Sequence, residues 1–569
     1  MSTSSTSVPN PPNSGKGDRE GRGSEAPAIV RSSGEENILA KGRLLYPERG
    51  PSRFAVRMAR AALEEGRAAG PGRLFLVASP ALWYGVAELL AGLPSDAAIL
   101  CAETDPGLVA IAMEKMPPSL RADPRLRFAG GKDLRSWIDA TMTMGRFRRC
   151  LPVRLSGGAD LDPEAYRAAA SALDESFSAY WRNRASLAAM GRLWVRNIFR
   201  NLARLGDISP RSPAALLGPA ALSGPAVICG AGPSLEGAIP LIRRHRNKVL
   251  VVAADTAAGP LAMSGIVPDL VICLEAQIWN LRDFLPLEGA AFTLLGDLSS
   301  HPSSFGLRGA VNSLSCVRIA EGAFMGRLRA LGLPLLDLPP LGSVGVEAIH
   351  VAARLGAAPL FVAGLDFAFE TGKTHARGSP TLAADLHSST RLSPVGSPGL
   401  TATFREGVRP TTKGRGLTDP ILTRYAALAA EELALSGRPV FDLRGGFGQP
   451  LRALVPTLDQ AERLLAELPE REGAPKAPVV SEDGEAILIA TDFLKRELGR
   501  LLELEGLLRR GEVQGGKKLP EALAELDYVL WPMPDADRVA SLPQDLLNRV
   551  LVETEYWIAE LGELISASP

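Results

Sequence analysis

The sequence of 569 residues contains few cysteines, few histidines and no surplus of charge of either sign. Its five cysteines lie far apart and form no Cys-x-x-Cys pair, so we expect buried, reduced thiols in a cytosolic context. Lys and Arg together number 63, as do Asp and Glu, which leaves a net charge of zero. A general nucleic-acid binder would carry a basic surplus or patch, so the charge balance argues against nucleic acid as a partner.

Long apolar runs are missing as well. No stretch reaches the roughly 18 to 20 apolar residues that a transmembrane helix requires, so we expect no membrane span. Residues 1–36 are rich in Ser, Gly and Pro and contain no apolar segment of the kind found in signal peptides. We predict a disordered tail over residues 1–36 and a cytoplasmic location.

The length predicts about three or four domains. Residues 37–208 contain the pattern strand, helix, strand at Leu74–Ala78 and Ala97–Cys101, which predicts a small N-terminal α/β domain with a parallel sheet, continued by a helical bridge. Glu103 follows the second strand. At this position dinucleotide-binding folds have an acidic residue that hydrogen-bonds a ribose hydroxyl. The first turn, Ser79–Leu82, lacks the glycines of that motif. We therefore expect a Rossmann-like domain without a bound nucleotide.

Residues 215–450 alternate between apolar runs and helical patterns, which predicts a central α/β domain with a parallel sheet covered on both faces. A linker rich in Pro, Ala and Gly precedes it at 209–225. The segment 379–416 is too long for an ordinary connection, so it is either a mobile lid or partly disordered. Residues 451–569 have a helical pattern and predict a helical C-terminal domain. The expected central strands are Ala226–Cys229, Val249–Ala253, Leu270–Leu274, Phe292–Leu295, Leu360–Ala363 and Val440–Leu443.

The loop Gly230–Leu235 directly follows the first of these strands and contains two glycines, a proline and a serine before a helical pattern begins. Glycines allow a tight turn with exposed backbone N–H groups, and the helix that follows directs its positive end to the same point. We predict that Gly230, Gly232, Pro233 and Ser234 bind a phosphate group. Such a turn is also a common connection between a strand and a helix.

Polar residues follow three other central strands, where parallel sheets bind their ligands. Asp255 and Thr256 follow the second strand, and the acid could bind a ribose hydroxyl or cap the next helix. Glu275 and Gln277 end the third strand, where an acid and an amide could contact a base or a sugar. Asp366 follows the strand Leu360–Ala363. We predict that these residues form one site.

His375 is the strongest candidate for a general base among the five histidines. It lies in a loop after a strand end, between Lys373 and Arg377, in a stretch that also contains glycines. The alternative is an ordinary surface-loop histidine. His301 precedes a proline in another loop, and we predict no functional role for it.

Together these motifs resemble the central domain shared by the Maf (motility-associated factor) flagellin glycosyltransferases and the 6-hydroxymethylpterin diphosphokinase MptE-like proteins. The resemblance covers roughly residues 215–450, and the flanking regions are similar to the three-part Maf organisation. The motifs that carry it are Gly230–Leu235, Ala254–Thr256, Gly265–Asp269, Glu275–Gln277, Gly364–Phe369, Thr374–Gly378 and Gly445–Gly446.

The resemblance implies a sialyltransferase-like central domain that transfers a nonulosonic acid from a CMP-activated donor to Ser or Thr of flagellin in the cytoplasm. It implies that the Gly230–Leu235 loop binds the CMP phosphate and that Asp255 and Gln277 line the nucleotide and sugar pocket. His375 would then deprotonate the acceptor hydroxyl. With Asp366, it forms the predicted catalytic pair.

Two alternatives stay open from the sequence. The first is an ATP-dependent pyrophosphoryl transfer to 6-hydroxymethyl-dihydropterin, which needs Mg²⁺ held by carboxylates such as Asp255, Glu275, Asp297 and Asp366. The second is a non-catalytic, flagellum-associated protein with a degenerate site. The donor sugar, the acceptor protein and any metal requirement are not determined by the sequence.

Overall fold

The computed structural model describes residues 26–131, 147–208, 224–411, 415–451, 458–471, 483–510, 518–536 and 543–567. The chain divides into two compact units, Met1–Ser186 and Leu187–Pro569. The strands are β1 (Ala28–Ser32), β2 (Glu35–Ala40), β3 (Arg43–Leu44), β4 (Arg73–Ala78), β5 (Ala98–Glu103), β6 (Leu126–Gly130), β7 (Arg149–Arg154), β8 (Gly224–Cys229), β9 (Leu250–Ala254), β10 (Leu270–Cys273), β11 (Phe292–Asp297), β12 (Ala310–Val317), β13 (Leu335–Leu338), β14 (Ala357–Ala363), β15 (Arg409–Pro410), β16 (Leu417–Thr418) and β17 (Val440–Asp442).

Helices connect most of these strands and make up most of the described C-terminal part. They are α1 (Pro51–Ala68), α2 (Val86–Ala91), α3 (Pro106–Lys115), α4 (Pro118–Ala122), α5 (Pro163–Ala203), α6 (Leu205–Ile208), α7 (Leu235–Arg244), α8 (Asp255–Met263), α9 (Leu281–Phe284), α10 (Ala323–Arg329), α11 (Val344–Arg354), α12 (Pro380–Ser388), α13 (Ser397–Ala402), α14 (Pro420–Leu435), α15 (Leu458–Glu467), α16 (Asp483–Arg510), α17 (Lys518–Glu525) and α18 (Gln544–Ala567). Short 3₁₀ turns lie at Gly157–Leu161, Ile278–Asn280, Leu285–Leu287, Pro302–Gly306 and Asp527–Leu530. None of the helices in the described ranges is long and apolar enough to cross a membrane.

The first unit contains a four-stranded parallel sheet in the order β6-β5-β4-β7. The predicted strands around Leu74–Ala78 and Ala97–Cys101 are β4 and β5, whose residues are all buried, which explains why their apolar runs are continuous. The edge strands β6 and β7 were not predicted, because their buried residues are interrupted by exposed ones.

A second, antiparallel sheet of three strands, β1-β2-β3, begins within the predicted tail. Strands β1 and β2 are joined by Ser33 and Gly34, both with positive φ (51° and 88°), as in the two-residue turns that favour hairpins. Residues 26–36 of the predicted disordered tail therefore include the strand Ala28–Ser32, and residues 1–25 lie outside the described residues.

The second unit is built on an eight-stranded parallel sheet in the order β13-β12-β11-β10-β9-β8-β14-β17. From β8 the chain proceeds strand by strand to β13 and then returns to the other side of β8 as β14. The strand order thus reverses between β8 and β14, and parallel sheets bind ligands beside such a switch point. Strands β12 and β13 extend the sheet beyond the predicted strands.

Both faces of this sheet are covered, as expected. One face packs with α11 and α14 around residues such as Val346 and Ala429. The other face shares a core with the C-terminal helices, where the ring of Trp557 on α18 lies 5.5 Å from that of Phe199 and 5.8 Å from that of Tyr528. The predicted central and helical C-terminal regions therefore form one unit, because the C-terminal helices bury their apolar faces on the sheet core.

The expected fold class is confirmed: a large parallel α/β sheet, a smaller N-terminal α/β region and a helical C-terminal part. The segment 379–416, expected as a lid or partly disordered, contains α12 and α13, with residues 412–414 outside the described residues. Most of the predicted linker, residues 209–223, also lies outside them.

Candidate functional site

The turns after β8 and β14 meet at the switch point. The backbone N–H of Gly230 donates to the carbonyl of Ala363 (2.9 Å), and that of Gly232 donates to the carbonyl of Gly364 (2.8 Å). A Cβ atom on Gly230 would lie 2.6 Å from the Gly364 oxygen, closer than real contacts allow. Gly364 itself has a φ of +62°, which favours glycine. Glycines are needed here because two backbone turns lie against each other.

Asp366 joins the same two turns through its side chain. Its carboxylate accepts from the backbone N–H of Ser234 (2.9 Å) and from the Ser234 hydroxyl. Burial raises the pKa of Asp366 to about 6, opposed by these two hydrogen bonds. Asp366 is 1% exposed, so in this conformation it fixes the position of the loop rather than facing an open cleft.

The loop that carries His375 is attached directly to the glycine loop. The N–H of Ala376 donates to the carbonyl of Ala231 (2.8 Å). Glu236, in the first turn of α7, accepts from the N–H of Arg377 (2.7 Å) and pairs with Lys373 Nζ (2.9 Å). The structure therefore brings together the Gly230–Leu235 loop, Asp366 and the His375 loop, as the sequence predicts.

His375 is half-buried, and its Nδ1 atom lies 3.0 Å from the hydroxyl of Thr374. Burial lowers the pKa of His375, since a charged imidazolium loses solvation there, and the charge of Asp385 opposes this shift only partly. The imidazole is thus neutral at pH 7, which is the form that accepts a proton.

Asp255 is buried at the N-terminus of α8, after strand β9. Its Oδ1 atom accepts from the N–H of Thr256 (2.8 Å), and its Oδ2 atom accepts from the side-chain amide of Asn280 (3.1 Å). Burial raises its pKa to about 6, and the charge of Glu275 adds to the shift. Both oxygens have protein partners, so Asp255 and Thr256 shape the start of α8 and position Asn280.

Glu275 and Gln277 are both exposed after β10, two strands from β8 in the sheet. The Glu275 carboxylate accepts from the N–H of Gln277 (3.0 Å), and the N–H of His301 donates to the Glu275 carbonyl (3.2 Å). Their exposed side chains are free to contact a ligand. The structure thus adds a second histidine, His301, at this end of the sheet.

No sequence pattern pointed to Asp283 as a site residue. It lies on α9, is 5% exposed, and its Oδ1 atom accepts no hydrogen bond from the residues that the structure describes. Burial, together with the charges of Asp255 and Glu275, raises the pKa of Asp283 to about 7. The short helix α9 shows no apolar periodicity that could have pointed to it.

We expect the substitution Asp283→Asn to stabilise the protein increasingly as the pH rises. The pKa of Asp283 is higher in the folded than in the unfolded chain, so the folded state binds more protons between about pH 4 and pH 7. The carboxyl therefore lowers the free energy of unfolding as the pH rises through this window. Asparagine lacks this effect, and the gain, at about 1.4 kcal/mol per pH unit across this window, should reach about 4 kcal/mol at pH 7.5.

Thermal unfolding of both proteins at pH 4.5 and pH 7.5 measures this gain. Asp459→Asn, which changes an exposed aspartate of the same unit, is the matched control, and its Tm should stay close to that of the wild type. An equal change in Tm at both pH values for Asp283→Asn would contradict the raised pKa of Asp283.

The carboxylates named for Mg²⁺ do not converge. Asp297 accepts from the N–H of Ser299 (2.8 Å) and of Val317 (2.6 Å), while Asp366 is bonded to Ser234. Over the described ranges, no three His, Cys, Asp or Glu side chains are grouped so that they could hold a metal ion. The four predicted ligands therefore do not fit one Mg²⁺ in this conformation.

Comparison with known proteins supports the resemblance seen in the motifs. Residues 196–372 match the family described as 6-hydroxymethylpterin diphosphokinase MptE-like. Over almost the whole chain the fold is similar to that of the MAf glycosyltransferase from Magnetospirillum magneticum AMB-1, with a TM-score of 0.56 and 13% identity over 96% of this chain and 91% of that one. The match confirms the expected MptE-like segment within residues 196–372, and the likeness to the MAf glycosyltransferase shows a shared fold.

Two uncharacterized proteins of Treponema pallidum (strain Nichols) are also similar in sequence. One is 26% identical over 562 residues, which cover 95% of this chain and 96% of that protein. The other is 37% identical over 102 residues, which cover 17% of this chain and 46% of that protein. The similarity to the first extends through both units.

Proposed function

We propose that this protein is a cytoplasmic glycosyltransferase of the Maf type, which transfers a nonulosonic acid from a CMP-activated donor to a Ser or Thr hydroxyl of flagellin. The observation that supports this most is the hydrogen bond between Ala376 and Ala231, which holds a neutral histidine beside the glycine loop at the switch point. A phosphate site next to a base is what such a transfer needs.

In this proposal the phosphate lies at the N-terminus of α7. The N–H groups of Gly230 and Gly232 donate to backbone carbonyls and that of Ser234 donates to Asp366, so these residues shape the loop. The positive end of α7 attracts the phosphate. Lys373 and Arg377 both pair with Glu236 of the same helical turn, which leaves one net positive charge beside it, and the Arg377 side chain is 84% exposed. Glu275 and Gln277, both exposed, contact the nucleotide or the sugar.

His375 takes the proton of the acceptor hydroxyl as the reaction proceeds. The hydroxyl oxygen bonds to the anomeric carbon of the sugar, the bond from that carbon to the phosphate oxygen breaks, and CMP leaves with the electron pair. Asp366 acts indirectly, because its carboxylate holds Ser234 and the loop in place.

Nucleotide-dependent thermal stabilisation tests this proposal. We expect CMP to raise the Tm of the full chain, since a ligand at 100 times its Kd adds about 2.7 kcal/mol of stability. ATP with Mg²⁺ should have little effect. UMP serves as the control for a pyrimidine monophosphate without the cytosine amine.

Stabilisation by ATP–Mg²⁺ without any by CMP would contradict the proposal and favour the diphosphokinase alternative, which the description of the matched family suggests. Absence of stabilisation by either nucleotide would favour the non-catalytic alternative.

A further inference from the structure

The first unit contains a groove of about 540 Å³ that the proposed transfer does not use. It lies between the edge strand β7, the end of β4 and the first five turns of α5. This volume is within the range of small-molecule sites, about 300 to 1,000 Å³. Its apolar floor is formed by Leu76, Ala78, Pro152, Ala159, Tyr166 and Ala170.

The groove is placed where parallel sheets bind ligands. In the order β6-β5-β4-β7, the chain proceeds from β4 through β5 to β6 and then returns to the other side of β4 as β7. The switch point of this sheet is therefore between β4 and β7, whose last residues, Ala78 and Arg154, both line the groove.

The crevice directly above the strand ends is occupied by the protein itself. The carboxylate of Glu103 accepts from the hydroxyls of Ser79 (2.6 Å) and Tyr166 (3.1 Å), and the Ser156 hydroxyl donates to the Ser79 carbonyl (2.8 Å). Glu103 is 1% exposed. A ribose bound as in dinucleotide folds would need this acid, so the ligand of the groove is not a dinucleotide held by Glu103.

The free edge of β7 is also closed to a pairing strand. The N–H of Cys150 donates to the Asp174 carboxylate on α5 (2.7 Å), away from β4. Pro152, two residues further on the same edge, has no N–H to donate. An added peptide strand would find no backbone donor at either position, which excludes strand addition as the use of this groove.

The charges on the rim favour an anion. Arg154, Arg167 and Arg182 line the groove together with Asp174 and Glu175, which leaves one net positive charge, and the Asp174 carboxylate is engaged by the N–H of Cys150. Arg154 pairs with Asp160 at 3.0 Å in a largely exposed ion pair, which exchanges readily with another anion. Arg167 and Arg182 form no ion pair with any residue in the described ranges.

We propose that this groove binds a small organic anion with a flat apolar body. The apolar body lies on the floor beside Tyr166 and Ala170, and the carboxylate or phosphate group binds Arg154 and Arg167. Guanidinium groups suit both anions because they donate two parallel hydrogen bonds. The site is separate in chemistry and in sequence from the proposed transfer site.

Calorimetric titration of the full-length protein with phenyl phosphate, benzoate and phenol tests the proposal. We expect saturable binding of one or both anions at one per chain and at least tenfold weaker binding of phenol. The double variant Arg154→Ala/Arg167→Ala should bind the anion at least tenfold more weakly. Arg53→Ala/Arg57→Ala, which removes two exposed arginines of α1 from the same unit, should leave it unchanged.

A second variant, Ala170→Leu, fills the floor without removing charge and keeps a good helix former in α5. It should also abolish binding while the Tm stays within a few degrees of the wild type. The relative affinity for phenyl phosphate and benzoate identifies which anionic group the site prefers. Failure of the wild-type protein to bind either anion, or equal affinity in Arg154→Ala/Arg167→Ala and the control, would overturn the proposal regardless of how CMP binds.

Discussion

The substitution His375→Ala is expected to lower the rate of sugar transfer by about 10²- to 10⁴-fold, the usual contribution of a general base, while nucleotide binding is retained. The side chain is half-buried in a loop held by two backbone N–H groups: that of Ala376 donates to the Ala231 carbonyl and that of Arg377 donates to the Glu236 carboxylate. Alanine leaves these bonds intact. Transfer assays with CMP-activated donors and thermal shifts with CMP measure the two effects separately.

His387→Ala is the matched control, because His387 is exposed on α12 in the same part of the chain. It should keep full activity. The wild-type rate should fall only at acidic pH, since burial lowers the pKa of His375 and the neutral imidazole is the active form. Full transfer by His375→Ala would remove this residue from the mechanism.

The substitution Gly232→Ala is expected to destabilise the second unit by about 3 kcal/mol and to abolish nucleotide binding. A Cβ atom at this position would lie 2.7 Å from the carbonyl oxygen of Gly364 and would overlap the carboxylate of Asp366. The two turns would have to separate, and the hydrogen bonds from Ser234 to Asp366 would be lost. Thermal unfolding with and without CMP measures both effects.

Gly237→Ala is the control, five residues away on α7. A Cβ atom there meets no described atom within 4 Å, and alanine in a helix is favoured over glycine by about 0.5 to 1 kcal/mol. The two substitutions should therefore change the Tm in opposite directions. A Tm and a CMP shift for Gly232→Ala equal to those of the wild type would show that the two turns can separate without loss of function.

The central strands could be predicted because they are buried on both faces, which requires continuous apolar runs such as Val249–Ala253. The edge strands β6 and β7 were missed since exposed residues interrupt their runs. The motifs also predicted that the glycine loop, Asp366 and His375 lie together, because parallel strands end at one side of a sheet.

The sequence could not predict how these residues are bonded. Asp366 was expected to be catalytic, yet it is buried against Ser234, and the N–H groups of Gly230 and Gly232 donate to the turn after β14. Residues 226–235 and 360–366 are more than 120 positions apart, and no local pattern specifies such a contact. Asp283 was missed for a similar reason, since its raised pKa comes from burial and from two carboxylates on other elements.

The sequence by itself determined the fold class, the family resemblance and the set of polar residues at strand ends. These features depend on local periodicity and turn chemistry, which are properties of consecutive residues. Only the tertiary structure decided which of these side chains are exposed to a ligand and which are engaged by the protein. Burial, hydrogen bonding and pKa values depend on residues that are distant in the chain. They distinguish the neutral, half-buried His375 from the buried and bonded Asp366.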